Sequence, residues 1–250
     1  MVRLAGALFA ALTVLCAETP ALLENNGKPM HAALICKEDD LQSLGLNCSA
    51  DEPCPMYLEL SAVEAVGGRI FLAGNIHTSS ATVSSILLSS ADSGKTWAEP
   101  FERIRFSALE QIQFVDFDYG WISGAAIQTL ARDPFFLATN DGGKNWKPVP
   151  VFDDTHGGSI EKFWFDSRTT GELLLSPVGK TYESYETTNG GESWTLNQTG
   201  PKPLALAHSG HENGWRLRTD ARNHSYDVEL KQAAGWQRVA SFLVETGVCK

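Results

Sequence analysis

Two short stretches hold most of the side chains in this 250-residue chain that could do chemistry. In "FDDTHGG", Asp153, Asp154 and His156 stand close together, a set able to bind a cation or a sugar. In "TYESYETT", Tyr182, Glu183, Tyr185 and Glu186 alternate as on a strand. Arg103 and Arg105 alternate in "FERIRF", Arg132 lies in "ARDP", and His77 follows an apolar run. Carboxylate-pair hydrolysis needs two acids about 5–10 Å apart across a cleft. The 30 acids of this chain supply many candidate pairs and select none, so no catalytic residue is assigned. His208, His211 and His224 lack ligand spacing. No nucleophile elbow, H-E-x-x-H, P-loop or dinucleotide fingerprint occurs, and no metal or cofactor is expected.

Repeats must position these residues. The runs "SSADSGKTW", "TNDGGKNW" and "TTNGGESW" end at Trp97, Trp146 and Trp194, spaced 49 and 48 residues apart. A degenerate copy, "ELKQAAGW", ends at Trp236, 42 residues on. Each is preceded by a glycine turn opening a short strand: "GGRIFLAG", "YGWISGA", "TGELLLS" and "NGWRLRT". The pattern predicts four short strands per unit, in the second unit about 111–117, 121–127, 135–139 and 145–151. A short helix is expected at 38–46, and extra strands at 31–36 and 240–249. Four-stranded units at this period mark a β-propeller, in which neighbouring units cover each other's apolar faces.

The repeated run answers the local needs of a turn. Ser90, Thr139 and Thr187, with Asp92, Asp141 and Asn189, have short polar side chains that bond nearby amides. Gly94, Gly143 and Gly191 permit positive φ, and each tryptophan covers the hairpin with an apolar body. The run therefore reads as a structural staple, not a catalytic signature.

These three copies resemble the Asp-box, or BNR repeat. In that family the box joins the third and fourth strands of a propeller blade, on the periphery and away from the usual ligand face. The longer run "IQFVDFDYGWISGAAIQTLARDPFFLATNDGGKNW" is similar to repeats of photosystem II stability and assembly factor-like propellers, through Phe114, Asp116, Gly120, Trp121, Gly124, Thr139, Asp141, Gly142, Gly143 and Trp146. Glu172 replaces the tryptophan in the third unit, and that family typically has more than four blades. The resemblance implies an all-β small propeller, four blades of four-stranded antiparallel sheet, acting as a non-catalytic scaffold for a protein or glycan partner. His77, Arg105, Arg132, Asp153, Asp154 and His156 are then expected on loops of the ligand face. Asp-boxes also occur in sialidases, so a related glycoside hydrolase is the alternative. It requires an arginine triad and a tyrosine nucleophile with a glutamate beside it. A half-ring completed by a second chain is a third possibility.

Charge and cysteines bound the setting. "MVRLAGALFAALTVLCAETP" has the plan of a signal peptide with cleavage after Ala17, which leaves 233 residues. Removing Arg3 leaves 19 basic against 30 acidic side chains, a formal charge of −11 that disfavours nucleic acid. No later run could span a bilayer, so the expectation is a secreted or periplasmic protein, with residues 18–55 a cysteine-bearing segment and 56–250 the propeller. Sequons stand at Asn47, Asn197 and Asn223. Four cysteines permit three pairings. Cys48 and Cys54 flank a short proline-rich turn, and a ring brings the strands before Cys36 and Cys249 together, so Cys48–Cys54 and Cys36–Cys249 are expected.

Overall fold

The computed structural model describes residues 22–34, 36, 38–127, 133–154, 156–176, 179–207 and 213–250. The expected leader and Arg132 lie outside them. The first elements of the described residues are β1 (Leu23–Glu24) and the helix α1 (Glu38–Leu44). The first unit carries β2 (Cys54–Val66), β3 (Arg69–His77), β4 (Thr82–Ser90) and the short β5 (Thr96–Trp97). The second carries β6 (Ser107–Phe114), β7 (Gly120–Ala126), β8 (Asp133–Thr139) and β9 (Lys147–Pro150). The third carries β10 (Ile160–Phe165), β11 (Gly171–Leu175), β12 (Tyr182–Thr187) and β13 (Thr195–Gly200). The last strands are β14 (Trp215–Asp220), β15 (Ser225–Gln232), β16 (Gly235–Leu243) and β17 (Glu245–Cys249).

Among the described residues these strands form three four-stranded sheets, a three-stranded sheet and a two-stranded ribbon, all antiparallel. The second sheet runs β6-β7-β8-β9 and the third β10-β11-β12-β13, in chain order. The first runs β17-β2-β3-β4, so the last strand of the chain completes the first sheet. The fourth, β14-β15-β16, has three strands among the described residues where four were expected. Such four-stranded antiparallel sheets fit a propeller.

Local chemistry sets the strand ends. Gly67 and Gly68, at φ 56° and 81°, make the two-residue turn that lets Val66 pair with Arg69. The strand expected at 111–117 runs instead over Ser107–Phe114. Asp116 Oδ1 accepts the amides of Asp118 and Tyr119, both at 2.9 Å, and this Asx turn ends the strand early. The run 31–36 is no strand among the described residues. It is held by the Leu34 amide donating to Thr246 O at 3.1 Å, by the parallel bridge of Met30 to Phe242 just before it, and by the disulfide at Cys36. Both expected disulfides are present, Cys36–Cys249 and Cys48–Cys54.

Three apolar clusters bind the sheets side by side. The first joins the first sheet to the fourth through Ile70, Leu72, Leu88, Trp97, Val228 and Phe242, with Met30, Ala32 and Leu41 of the N-terminal segment. Another joins the first sheet to the second through Phe71, Leu87, Ile122, Leu137 and Trp146. The last joins the second to the third through Trp121, Phe136, Phe163, Phe165, Leu173 and Tyr185. No cluster among the described residues joins the third sheet to the fourth.

The tryptophan-closed turns brace these junctions. Ser90 Oγ accepts the Gly94 amide at 2.8 Å and donates to Asp92, whose Oδ1 takes the Thr96 amide at 2.9 Å. Trp97 Nε1 donates to Gly94 O at 3.1 Å. Thr139, Asp141, Gly143 and Trp146 repeat this set. In the third turn Thr187 and Asn189 cap the Gly191 and Ser193 amides, while the Trp194 indole N–H is buried without a partner. Trp97 and Trp146 are buried, Trp194 is half-buried, and Trp236 of the degenerate copy is 39% exposed.

Candidate functional site

A cleft of about 460 Å³ opens between the first strands of three sheets. Residues 61–64 of β2, 110–113 of β6 and 161–164 of β10 line it, together with Asn213. The same irregularity marks all three strands. Pairing with the next strand slips between Leu60 and Ala62, between Leu109 and Gln111, and between Ile160 and Lys162. Ser61, Glu110 and Glu161 are therefore bulge residues. A bulge leaves one residue out of the ladder and re-aims its side chain, which suits a strand facing a cavity.

The freed groups stitch neighbouring sheets together. Ser61 Oγ donates to Leu109 O at 2.7 Å, and Gln111 Nε2 donates to Glu161 O at 2.7 Å. The Gln113 amide side chain bonds both backbone groups of Phe165, at 2.7 and 2.8 Å. Asn213 Nδ2 closes the fourth side on Val63 O at 3.0 Å. Among the described residues the lining holds three carboxylates, of Glu64, Glu110 and Glu161, against one amine, of Lys162, with Trp164 supplying an aromatic ring and no arginine. Glu110 and Glu161 also line an adjoining hollow beside Ser159 and Ser176. Among the described residues no group of three His, Cys, Asp or Glu has the placement of a metal site.

None of these lining residues was singled out from sequence. The available signal was the set of polar positions in the strand that opens each unit: Ser61, Glu110, Gln111, Gln113 and Glu161.

The residues that were singled out lie elsewhere. His156, on the loop between the second and third sheets, places Nε2 2.8 Å from Glu183 Oε2 and 3.0 Å from the Tyr185 hydroxyl. Tyr185 donates to the same Glu183 oxygen at 2.8 Å, and Phe152 packs on both rings, 4.3 Å from His156 and 5.0 Å from Tyr185. The hydrogen bond from His156, then that from Tyr185, holds the Glu183 carboxyl below its ordinary range. Burial, then the bond to Glu183, pushes the Tyr185 phenol up. Glu186 pairs across to Glu172, on the face of β12 opposite Tyr185, and accepts from Asn197 at 2.6 Å. Asp153 and Asp154 are exposed beside this cluster.

Arg105 reaches the buried Asp40 of α1 and lies over the Phe106 ring, while Arg103 pairs with Glu99. His77 Nδ1 bonds its neighbour Thr78 O at 2.8 Å. Both arginines of "FERIRF" are thus committed to local packing, and neither lines the cleft.

No protein-family model matches the chain, and no curated protein matches it. Among solved structures it is similar to YCF48 bound to D1 peptide, with 17% identity, a TM-score of 0.38, and cover of 74% of this chain and 53% of that one. A polysaccharide lyase of family PL25, an ulvan lyase, is similar at 10% identity and TM-score 0.40 over 78% of this chain and 53% of that one. The RS223 β-xylosidase is similar at 8% identity and TM-score 0.43 over 78% of this chain and 82% of that one. The chain spans about half the length of the first two.

Proposed function

We propose that this chain is an exported, non-catalytic propeller-type scaffold that binds a protein or glycan partner in the cleft between β2, β6 and β10. The observation that carries the reading is the coincidence of three equivalent bulges at Ser61, Glu110 and Glu161 around one cavity. Carboxylates, amides and an indole suit hydroxyl-rich or cationic ligand groups: acids and amides take hydrogen bonds, and a ring face covers a sugar or a cation. The tryptophan-closed turns follow the third strands, the place an Asp-box would take, and their hydrogen bonds suit them to be staples. Two disulfides and the apolar, charge-poor first residues support export.

The Tyr185–Glu183 bond gives the alternative, a glycoside hydrolase, its one specific support. Against it, Tyr185 lies in the packed junction of the second and third sheets, its phenol is made less acidic, and no arginine among the described residues lines the neighbouring cleft. Glycan and peptide arrays probed with the disulfide-intact protein test the reading. Binding that weakens at least tenfold in Glu110→Gln/Glu161→Gln or Trp164→Ala supports it. Release of product from aryl glycosides, lost in Tyr185→Phe, would replace it with the hydrolase.

A further inference from the structure

Side-chain alternation shows what each sheet offers its neighbour. Where sheets pack, the facing residues are apolar: Phe71 against Phe114 and Trp146, and Trp121 stacked on Phe165 at 3.7 Å. Two sheet faces have no such apolar partner among the described residues, and they are different. On the fourth sheet, the face turned from the first sheet carries Arg216 and Arg218 of β14 opposite Glu229 and Asp227 of β15. Arg216 Nε lies 2.6 Å from Glu229, and Arg218 Nε lies 3.0 Å from the same carboxylate. Arg218 also meets Asp227, and Arg238 approaches it at 3.8 Å. Asp227 and Glu229 are buried, whereas the three arginine side chains are 41%, 47% and 46% exposed, so the face presents guanidinium groups outward over its buried carboxylates, with Asp220 beside Arg218 at its end. Beneath them Asp227 Oδ1 and the hydroxyls of Ser225 and Ser241 are buried without hydrogen bonds.

The third sheet ends with the opposite sign. Glu172 occupies the place that Trp121 takes in the second sheet, and pairs with Glu186 on the face turned from that sheet. The chain crosses part of this face, where the Ala207 amide donates to Glu172 at 2.8 Å. Beyond it, Thr195–Thr199 of β13 are all exposed.

We propose that these two faces are the halves of one junction made between copies of this chain, the arginine face of one fourth sheet seating on the glutamate face of the partner copy's third sheet. The contact is heterologous, and repeated twice it closes. Two copies give a ring of about eight sheets, within the usual range of propellers, whereas three would exceed it. The charges on the two faces are complementary, which fixes the direction of pairing.

Sedimentation velocity on disulfide-intact protein made without N-glycosylation, so that Asn197 on β13 carries no sugar, decides it. The expected result across a micromolar concentration series is one discrete species of twice the monomer mass. Lys231 lies two residues beyond Glu229 on the same face of β15 and pairs with Trp236. Glu172→Lys/Glu186→Lys alone and Lys231→Glu/Arg238→Glu alone should each sediment as monomers. Mixed, they should restore the dimer, since each junction then pairs opposite charges. The second variant leaves Arg216 and Arg218 on their buried carboxylates. Wild-type protein that stays monomeric would make both faces solvent caps, as at the ends of linear repeat arrays, and would overturn the proposal. So would an open-ended ladder of masses, a dimer indifferent to both variants, or folded variants that fail to rescue each other. If a variant does not fold, hydrogen exchange on the wild type serves instead: protection in β13 and β14 must rise with concentration.

Discussion

Single carboxylates hold the first two of the repeated turns, and their ionisation is a handle on both. The Thr96 amide and hydroxyl, with Ser90 and the Lys95 amide, hold Asp92 down to about 2. Burial works against Asp141, yet the Asn145 side chain and amide, Thr139 and the Lys144 amide bring it to about 2 as well. Asp116, bonded first by Arg168 and then by the Tyr119 and Asp118 amides, also lies near 2. A carboxyl lowered on folding contributes stability above its unfolded pKa and loses it as pH falls through the folded value. Denaturation midpoints should therefore hold at pH 5 and fall between roughly pH 4 and 2. Amide exchange at Thr96 and Asn145 should accelerate over that window before it does at Ser193, whose acceptor is the uncharged Asn189. Backbone geometry gives a second test. Gly142 and Gly190 have φ of 73° and 77°, and a Cβ on either would lie 2.8 Å from a carbonyl oxygen, whereas Ser93 at the matching place of the first turn already has φ 63° with a side chain. Thermal melts should show Gly142→Ala and Gly190→Ala costing about 1–3 kcal/mol and Ser93→Ala costing little.

The strands were legible wherever a tryptophan period, a glycine turn and an apolar run agreed. The third strand of the second unit, expected at 135–139, spans Asp133–Thr139, and the expected helix spans Glu38–Leu44. The strand bulges were not legible, because a bulge changes pairing and leaves composition untouched. Nor was the meeting of His156 with Glu183 and Tyr185; spacing puts Glu183 and Tyr185 on one strand face, but the loop that delivers His156 has no period. The tryptophans separate staple from decoration. Trp97 packs edge-on against Phe242 at 5.3 Å and Trp146 against Phe71 at 5.9 Å, both in the apolar junctions. Truncation to alanine should cost about 3–5 kcal/mol at each, by urea denaturation. Trp236, with Arg216 over its ring at 4.1 Å and 39% exposed, should cost under about 1 kcal/mol.

Across the whole molecule, the two disulfides do unequal jobs. Cys36–Cys249 spans 213 residues and Cys48–Cys54 only 6. In the chain-entropy account the long loop contributes about 5 kcal/mol and the short one about 2 kcal/mol. Cys36→Ser/Cys249→Ser should accordingly lower the urea midpoint well beyond Cys48→Ser/Cys54→Ser. The pairing was legible because a ring brings the two ends of the chain, with Cys36 and Cys249, together. The order of the sheets, fourth beside first, was legible only in part. The departure at Glu172 marked where the aromatic series stops, but nothing in spacing said that the next sheet would turn an arginine face outward.

The position of β17 has a kinetic consequence. It pairs with β2, and the Cys249 disulfide sulfur lies 3.3 Å from the thioether of Met56, 193 residues away in sequence. The second and third sheets are built from hairpins closed within their own stretch of chain, so they can form as they leave the ribosome. The first sheet is synthesised early and finished last. Until residues 245–249 arrive, the free edge of β2 stays an unpaired strand beside Met56 and Leu58, two of the most deeply buried side chains. Contacts of such long sequence separation close slowly. A nascent chain would thus carry an adhesive edge through most of its synthesis, and folding chaperones that shield exposed strands should engage it there first.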